Sequence, residues 1–278
     1  MVTAPAIRAL GFLSPRGRGG AMPPEKAGAG GAWGAVLTLG RPAAAGDRFR
    51  RATRECLLAV AAVDAMLEDG RVGRDAIAGD RTALLYVTAA AYAASNRAFI
   101  ERGAGGAYFP YTAPAAVPAE VAIEFGLTGP YSIFIGGSPA TLEAIWHGAS
   151  LLEAGACDRA LVLTVETFEE CVDLYSRQRR LTGWPLVEAA GCLWLEPGAG
   201  TLALECRRGR ARPPDEGAHR PPGEMLACGP LAAVALWRAG GHREPLRLCG
   251  AWRGEVVELT WMSESRRPAG TAARGGDP

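Results

Sequence analysis

"SIFIGGSPATLEAI", residues 132–145, is the stretch on which the reading of the fold depends. Ile133, Phe134 and Ile135 form a charge-free, strand-favouring run. Two glycines, Ser138 and Pro139 follow, and then a run that reads as helix. A strand that turns sharply into a helix is the building unit of α/β proteins, and the same turn is where many enzymes mount a nucleophile. Ser138 therefore has two readings. As a helix N-cap it accepts a backbone N–H at the third helical position, with Pro139 as a favoured first residue. As a nucleophile it sits in Gly136-Gly137-Ser138-Pro139-Ala140, where a helix N-terminus favours negative charge on a developing oxyanion. A serine nucleophile needs a base within hydrogen-bond reach. His147 lies along the same helix, roughly 13 Å away by the helical rise, and His219 and His242 fall in polar loops. Capping requires no absent partner and is the preferred reading.

The rhythm extends in both directions. Residues 6–15 read as a first strand, and 32–40 as a second strand or an irregular return, with a Gly/Pro-rich loop between them. Phe49, Ala52, Cys56, Val60, Val63 and Leu67 recur at helical spacing, which predicts a helix over 47–69 capped by Gly70. A buried strand over 82–90 leads into a helix through Phe99, and a short helix ends at Gly126. Strand 131–135, helix 139–154 and strand 159–167 complete an α/β alternation with a largely parallel sheet covered on both sides. Residues 191–206 break the alternation: two β-rich runs flank Pro197-Gly198-Ala199-Gly200 and read as an antiparallel hairpin. A polar, proline-rich linker follows over 207–223, then an Ala-rich helix, two last strands, and a polar tail over 263–278.

Composition removes several classes of function. The chain has 278 residues, 49% apolar and 21% charged, with a net charge of +1, which suits a folded core and gives no reason to expect nucleic acid. Lys26 is the single lysine. Seven cysteines are scattered without a CxxC pair, so neither a zinc site nor a disulfide framework is indicated and no cofactor is expected. Most cysteines lie in apolar runs and read as small core residues. The sequence shows no signal-peptide pattern and no bilayer-length apolar run, so a cytoplasmic location without membrane contact is expected.

Residues 114–167, "PAAVPAEVAIEFGLTGPYSIFIGGSPATLEAIWHGASLLEAGACDRALVLTVET", resemble the central segment of the β-ketoacyl synthases, members of the thiolase fold. The matching features are Gly129-Pro130, strand 131–135, helix 139–154, Gly155, Asp158 and Glu166. Residues 6–17 are similar to the family's opening strand, 191–205 to the hairpin closing its N-terminal half, and 227–262 to the last helix and terminal strands. The resemblance implies an α/β, thiolase-like, layered α-β-α fold. It divides the chain into an N-terminal domain over 1–206, the linker, and a reduced C-terminal half over 224–262.

The departures from the family carry the functional expectation. Counting from Gly129-Pro130, the family's nucleophilic cysteine falls on Ser138, and counting back from Ala227-Cys228-Gly229-Pro230-Leu231, the position of the second catalytic histidine is held by Gly223. Without a thiolate and histidines, decarboxylating condensation is not expected. Glu166 and Glu188 resemble structural glutamates of the family. Tyr108, Phe109 and Tyr111 could line an acyl groove, but a packed loop at a subunit edge is preferred, and His147 with Trp146 reads as a packing pair. The resemblance implies a non-condensing partner subunit in fatty-acid or polyketide (aryl-polyene-type) synthesis. Its partners would be acyl carrier protein and either a full-length ketoacyl synthase or a second copy. The alternatives are a serine acyltransferase using Ser138 and an acyl- or carrier-binding scaffold. The resemblance also places strand 131–135 at a dimer interface, with apolar faces uncovered where the C-terminal half is shortened.

Overall fold

The computed structural model describes residues 1–18, 36–43, 49–50, 52–103, 109–171, 185–208, 223–241 and 245–263. In chain order the strands are β1 (Val2–Thr3), β2 (Ala6–Ser14), β3 (Gly17–Arg18), β4 (Val36–Leu37), β5 (Thr82–Thr88), β6 (Tyr131–Ile135), β7 (Arg159–Glu166), β8 (Leu186–Val187), β9 (Ala189–Glu196), β10 (Gly200–Arg208), β11 (Leu246–Trp252) and β12 (Glu255–Ser263). The helices are α1 (Arg54–Gly70), α2 (Tyr92–Arg102), α3 (Ala116–Phe125), α4 (Ser138–Glu153) and α5 (Gly229–Ala239). Lys26, Tyr108, His219, His242 and most of the linker and tail lie outside the described residues.

One sheet has the order β3-β2-β9-β7-β5-β6. Every residue of β5 is buried, because a strand covered on both faces has no solvent side. Leu84, Tyr86, Leu161, Leu163 and Val165 pack toward α1 and α3. Ala83, Leu85, Val87, Ala160 and Val162 pack toward α4 and α5. The second sheet, β1-β10-β12-β11, lays Leu202, Leu246, Leu248, Val257, Leu259 and Trp261 in that same core with α4 and α5. The layers therefore run α, β, α, β.

Four expectations are corrected. The first sheet is mixed: β5 pairs in parallel with β6 and β7, but β7–β9, β9–β2 and β2–β3 are antiparallel. Residues 191–206 are no hairpin, since β9 joins the first sheet and β10 the second. The burial patterns give the reason: β9 is buried at every position but its last and suits a sheet centre, whereas β10 mixes buried and exposed residues and suits a one-sided sheet. Helix α1 begins at Arg54 rather than Asp47, where the Arg54 side chain turns inward to the buried Glu188 carboxylate, and its C-cap is a left-handed Arg71 (φ 55°) rather than Gly70. The shortened C-terminal half does not strip the first sheet of its cover. The outer face of the second sheet is itself polar, with Arg247 and Thr260 on it and an Arg207–Glu258 pair across its strands.

Candidate functional site

The strand-to-helix turn at Ser138 lies at the C-terminal end of β6, beside the ends of β5 and β7. The N-cap position of α4 is Gly137, and no side chain caps the helix. The capping reading of Ser138 is thus overturned. Its hydroxyl turns away from the helix end and donates to the Leu226 carbonyl at 2.8 Å. One turn later, the Thr141 hydroxyl donates to the Ala227 carbonyl at 2.6 Å. Two hydroxyls of α4 thereby grip the turn that leads into α5.

That turn is strained and closely walled. Leu226 has φ 45°, a left-handed conformation that a branched side chain rarely adopts. Its amide is held by the Glu224 carboxylate at 2.8 Å. Gly250 of β11 runs so close that an added Cβ would lie 2.7 Å from Pro139 N and 2.8 Å from Ser138 Cβ. A Cβ on Gly229 would meet Ser138 Oγ at 3.2 Å, and one on Gly137 would meet the Trp252 ring at 2.6 Å. Ala90, Phe168, Leu186 and Leu226 form a small buried cluster against which Ala89 and Trp252 pack.

Two glutamates fasten the strand ends. Glu166 is fully buried and accepts from Ala89 N (2.6 Å), Ala90 N (3.1 Å), Ala227 N (3.3 Å) and the Thr88 hydroxyl (3.4 Å). Burial pushes its carboxyl up to about 8 against those four hydrogen bonds, which favour the ionised form. Glu188, also fully buried, accepts from Phe168 N, Glu169 N and Leu39 N at 2.7–2.8 Å. The Arg54 guanidinium reaches both Glu188 oxygens at 2.7 and 2.8 Å and both Glu170 oxygens at 2.6 and 2.7 Å. Burial disfavours the Glu188 charge, but Arg54 and the three amides outweigh it and hold the carboxyl below its ordinary range. Burial likewise opposes the charge on Arg54, and Glu188 and Glu170 hold it protonated.

Other sequence candidates fall into place around this centre. His147 packs edge-on against Phe134 (ring centroids 5.9 Å apart), so its aromatic partner is on β6 and not Trp146. Gly223 has φ 132°, and a Cβ there would lie 2.6 Å from Val187 Cγ2 and 2.8 Å from the Pro185 carbonyl, so a histidine does not fit. Phe109 is exposed and meets Phe99 edge-on, while the Tyr111 hydroxyl bonds to Glu120. Asp158 pairs with Arg81 at 2.8 Å. Cys56, Cys157, Cys192 and Cys228 are buried, but Cys206 and Cys249 are exposed. Among the described residues no group of three His, Cys, Asp or Glu side chains could hold a metal ion, and no helix is long and apolar enough to cross a membrane. Arg54, Leu226 and Trp252 were not singled out from the sequence. In the sequence Arg54 stands among Arg50, Arg51 and Glu55, so nothing local set it apart.

Residues 41–182, just over half of the chain, match the family model for the β-ketoacyl synthase N-terminal domain. The chain belongs to that family. Solved structures agree on the fold. The ishigamide ketosynthase/chain length factor superposes with TM-score 0.72 at 16% identity, covering 92% of this synthase-like chain and 98% of that one. A type II polyketide synthase acyl-carrier protein in complex with its ketosynthase bound to the hexaketide gives TM-score 0.72 at 12% identity, with 95% and 100% covered. A ketosynthase in complex with its chain length factor, from Xenorhabdus doucetiae, gives 0.62 at 14% identity, with 92% and 99% covered. No curated protein matches the chain. Within this thiolase-like frame, Ser138 stands at the start of α4, just after β6.

Proposed function

We propose that this synthase-like chain performs no condensation and serves as a partner subunit in the cytoplasmic assembly of fatty-acid or polyketide (aryl-polyene-type) chains. The observation that carries the reading is the Ser138 hydroxyl, which donates to the Leu226 carbonyl and, among the described residues, has no histidine bonded to it. Condensation needs a thiolate to hold the acyl chain and histidines to polarise the malonyl thioester. Position 138 offers a committed hydroxyl, and position 223 has no room for a side chain. A serine acyltransferase would have to release Ser138 from Leu226 and recruit a base, since His147 lies on the same helix against Phe134.

The partner half of the proposal rests on β6. It is an edge strand with no buried residue, and Tyr131 and Ile135 are 56% and 52% exposed. An uncharged open edge invites another strand. Pairing there with a ketoacyl synthase or a second copy would bury roughly 2,000 Å² or more, the obligate range. Acyl carrier protein is the further partner, by analogy with the carrier complex among the structural neighbours. Incubation with malonyl- and acyl-loaded carrier protein tests the chemistry: neither carbon dioxide release nor an acyl adduct on Ser138 is expected. Light scattering tests the partner, with an assembly expected alone or with a synthase. Phe134→Asp places a charge on the half-buried edge and should give insoluble or destabilised protein. A stable monomer unaltered by that substitution would remove the basis for a partner subunit.

A further inference from the structure

Two separated parts of the chain close on Ser138, residues 224–229 and β11. The 224–228 turn supplies the Leu226 carbonyl, α5 begins with Gly229 against the hydroxyl, and β11 presses Gly250 onto the Ser138–Pro139 peptide. The tip of the β11–β12 hairpin completes the wall. Arg253 (φ 51°) and Gly254 (φ 86°) are both left-handed, as a tight two-residue turn requires, and they hold Trp252 opposite Glu255. From there the indole covers Gly137 and packs on the cluster of Ala90, Phe168, Leu186 and Leu226. The ends of β5 and β7, where an open α/β sheet presents its ligand crevice, are thus filled by this chain's own apolar side chains.

We propose that the β11–β12 tip and the 224–228 turn form an intramolecular plug that restricts access to position 138, which they leave only part-exposed. Restoring a thiol would then not restore a reactive centre. The proposal deepens the reading of Ser138 as inactive and rests on it. It makes a separate claim, however, because a serine without a base is inert even in an open site.

Alkylation of S138C by iodoacetamide, mapped by mass spectrometry, reads the plug directly, since the thiolate must reach the reagent to displace iodide. The exposed Cys206 and Cys249 are internal fast standards, and the buried Cys192 and Cys228 are slow ones. Rates are divided by those of the same peptides in denaturant, which removes differences in intrinsic thiol reactivity. With Trp252 in place the S138C thiol should react at least about tenfold more slowly than Cys249, and Trp252→Ala should bring it toward the Cys249 rate. If Cys192 or Cys228 becomes reactive in W252A, Trp252→Phe is read instead, since it keeps a smaller ring over Gly137, and a rise above the parent rate is expected. Labelling of S138C as fast as Cys249 in the parent, or no rise in the variant that is read, overturns the plug. Either result leaves the partner-subunit reading to the carrier-protein and light-scattering measurements.

Discussion

The two sides of β6 are treated in opposite ways. At its C-terminal end the chain turns into α4 through a part-buried site, against which Leu226, Gly229, Gly250 and Trp252 pack closely. Along its free edge no strand among the described residues pairs with it, and Tyr131 and Ile135 are exposed. In an enzyme of this family the reverse investment would be natural at the first place, since a nucleophile must be approachable. On the proposed reading, this chain spends its packing on the Ser138 turn and leaves the β6 edge for association.

The comparison is tested most severely at the polar staple behind the closed end. Arg54→Ala would leave Glu188 buried beside an unpaired Glu170, and a loss of about 3–5 kcal/mol is expected in urea unfolding. A loss under about 1 kcal/mol would mean that the closed end does not depend on this network.

The pH dependence of stability comes next. Between about 4.5 and 8 the folded state keeps a proton on Glu166 that the unfolded chain has released. Its contribution is therefore complete below the unfolded value and is lost as pH rises through the folded one, with a slope of at most about 1.4 kcal/mol per pH unit. Glu55, which burial also raises, adds a decline of the same sign. Glu166→Gln keeps the acceptor oxygen and should flatten the profile, measured as urea midpoints from pH 5 to 8. An unchanged profile would show that Glu166 is ionised throughout.

Smaller still is the effect at Ser138. Ser138→Ala removes one hydrogen bond and should cost about 0.5–1.5 kcal/mol. Ser138→Asp should be worse than alanine, because its carboxylate would face the Leu226 carbonyl with no proton to donate. Equal stability of the aspartate and serine proteins would restore the capping interpretation.

The smallest stability effect is expected at the open edge. Ile135→Lys on a half-exposed side chain should stay within about 0.5 kcal/mol of the parent. It should nevertheless weaken association in light scattering, because a lysine on an edge strand opposes pairing. Unfolding of this variant, or unchanged association, would erase the contrast between the two sides.

Several features were legible before any coordinates. The charge-free 131–135 run, the glycine-serine-proline turn and the buried 82–88 strand rest on short-range pattern, and periodicity reports such elements faithfully. The placement of Ser138 just after the 131–135 strand could likewise be counted from Gly129-Pro130. The hairpin at 191–206 failed because local turn chemistry says nothing about which sheet each arm joins. The difference lay in burial: β9 is buried almost throughout, whereas β10 is partly exposed with only Leu202 buried among its described side chains.

By itself, then, the sequence determined the α/β order, the position of the nucleophile turn and the absence of a thiol there. The tertiary structure decided what Ser138 does, since its acceptor is the carbonyl of Leu226, 88 residues away. It also decided that Arg54 is buried, because its partners Glu170 and Glu188 lie 116 and 134 residues along the chain. Local pattern records which residues prefer a helix or strand. Only the packing of distant segments fixes which polar group must be satisfied by which, and so whether a site is open or shut.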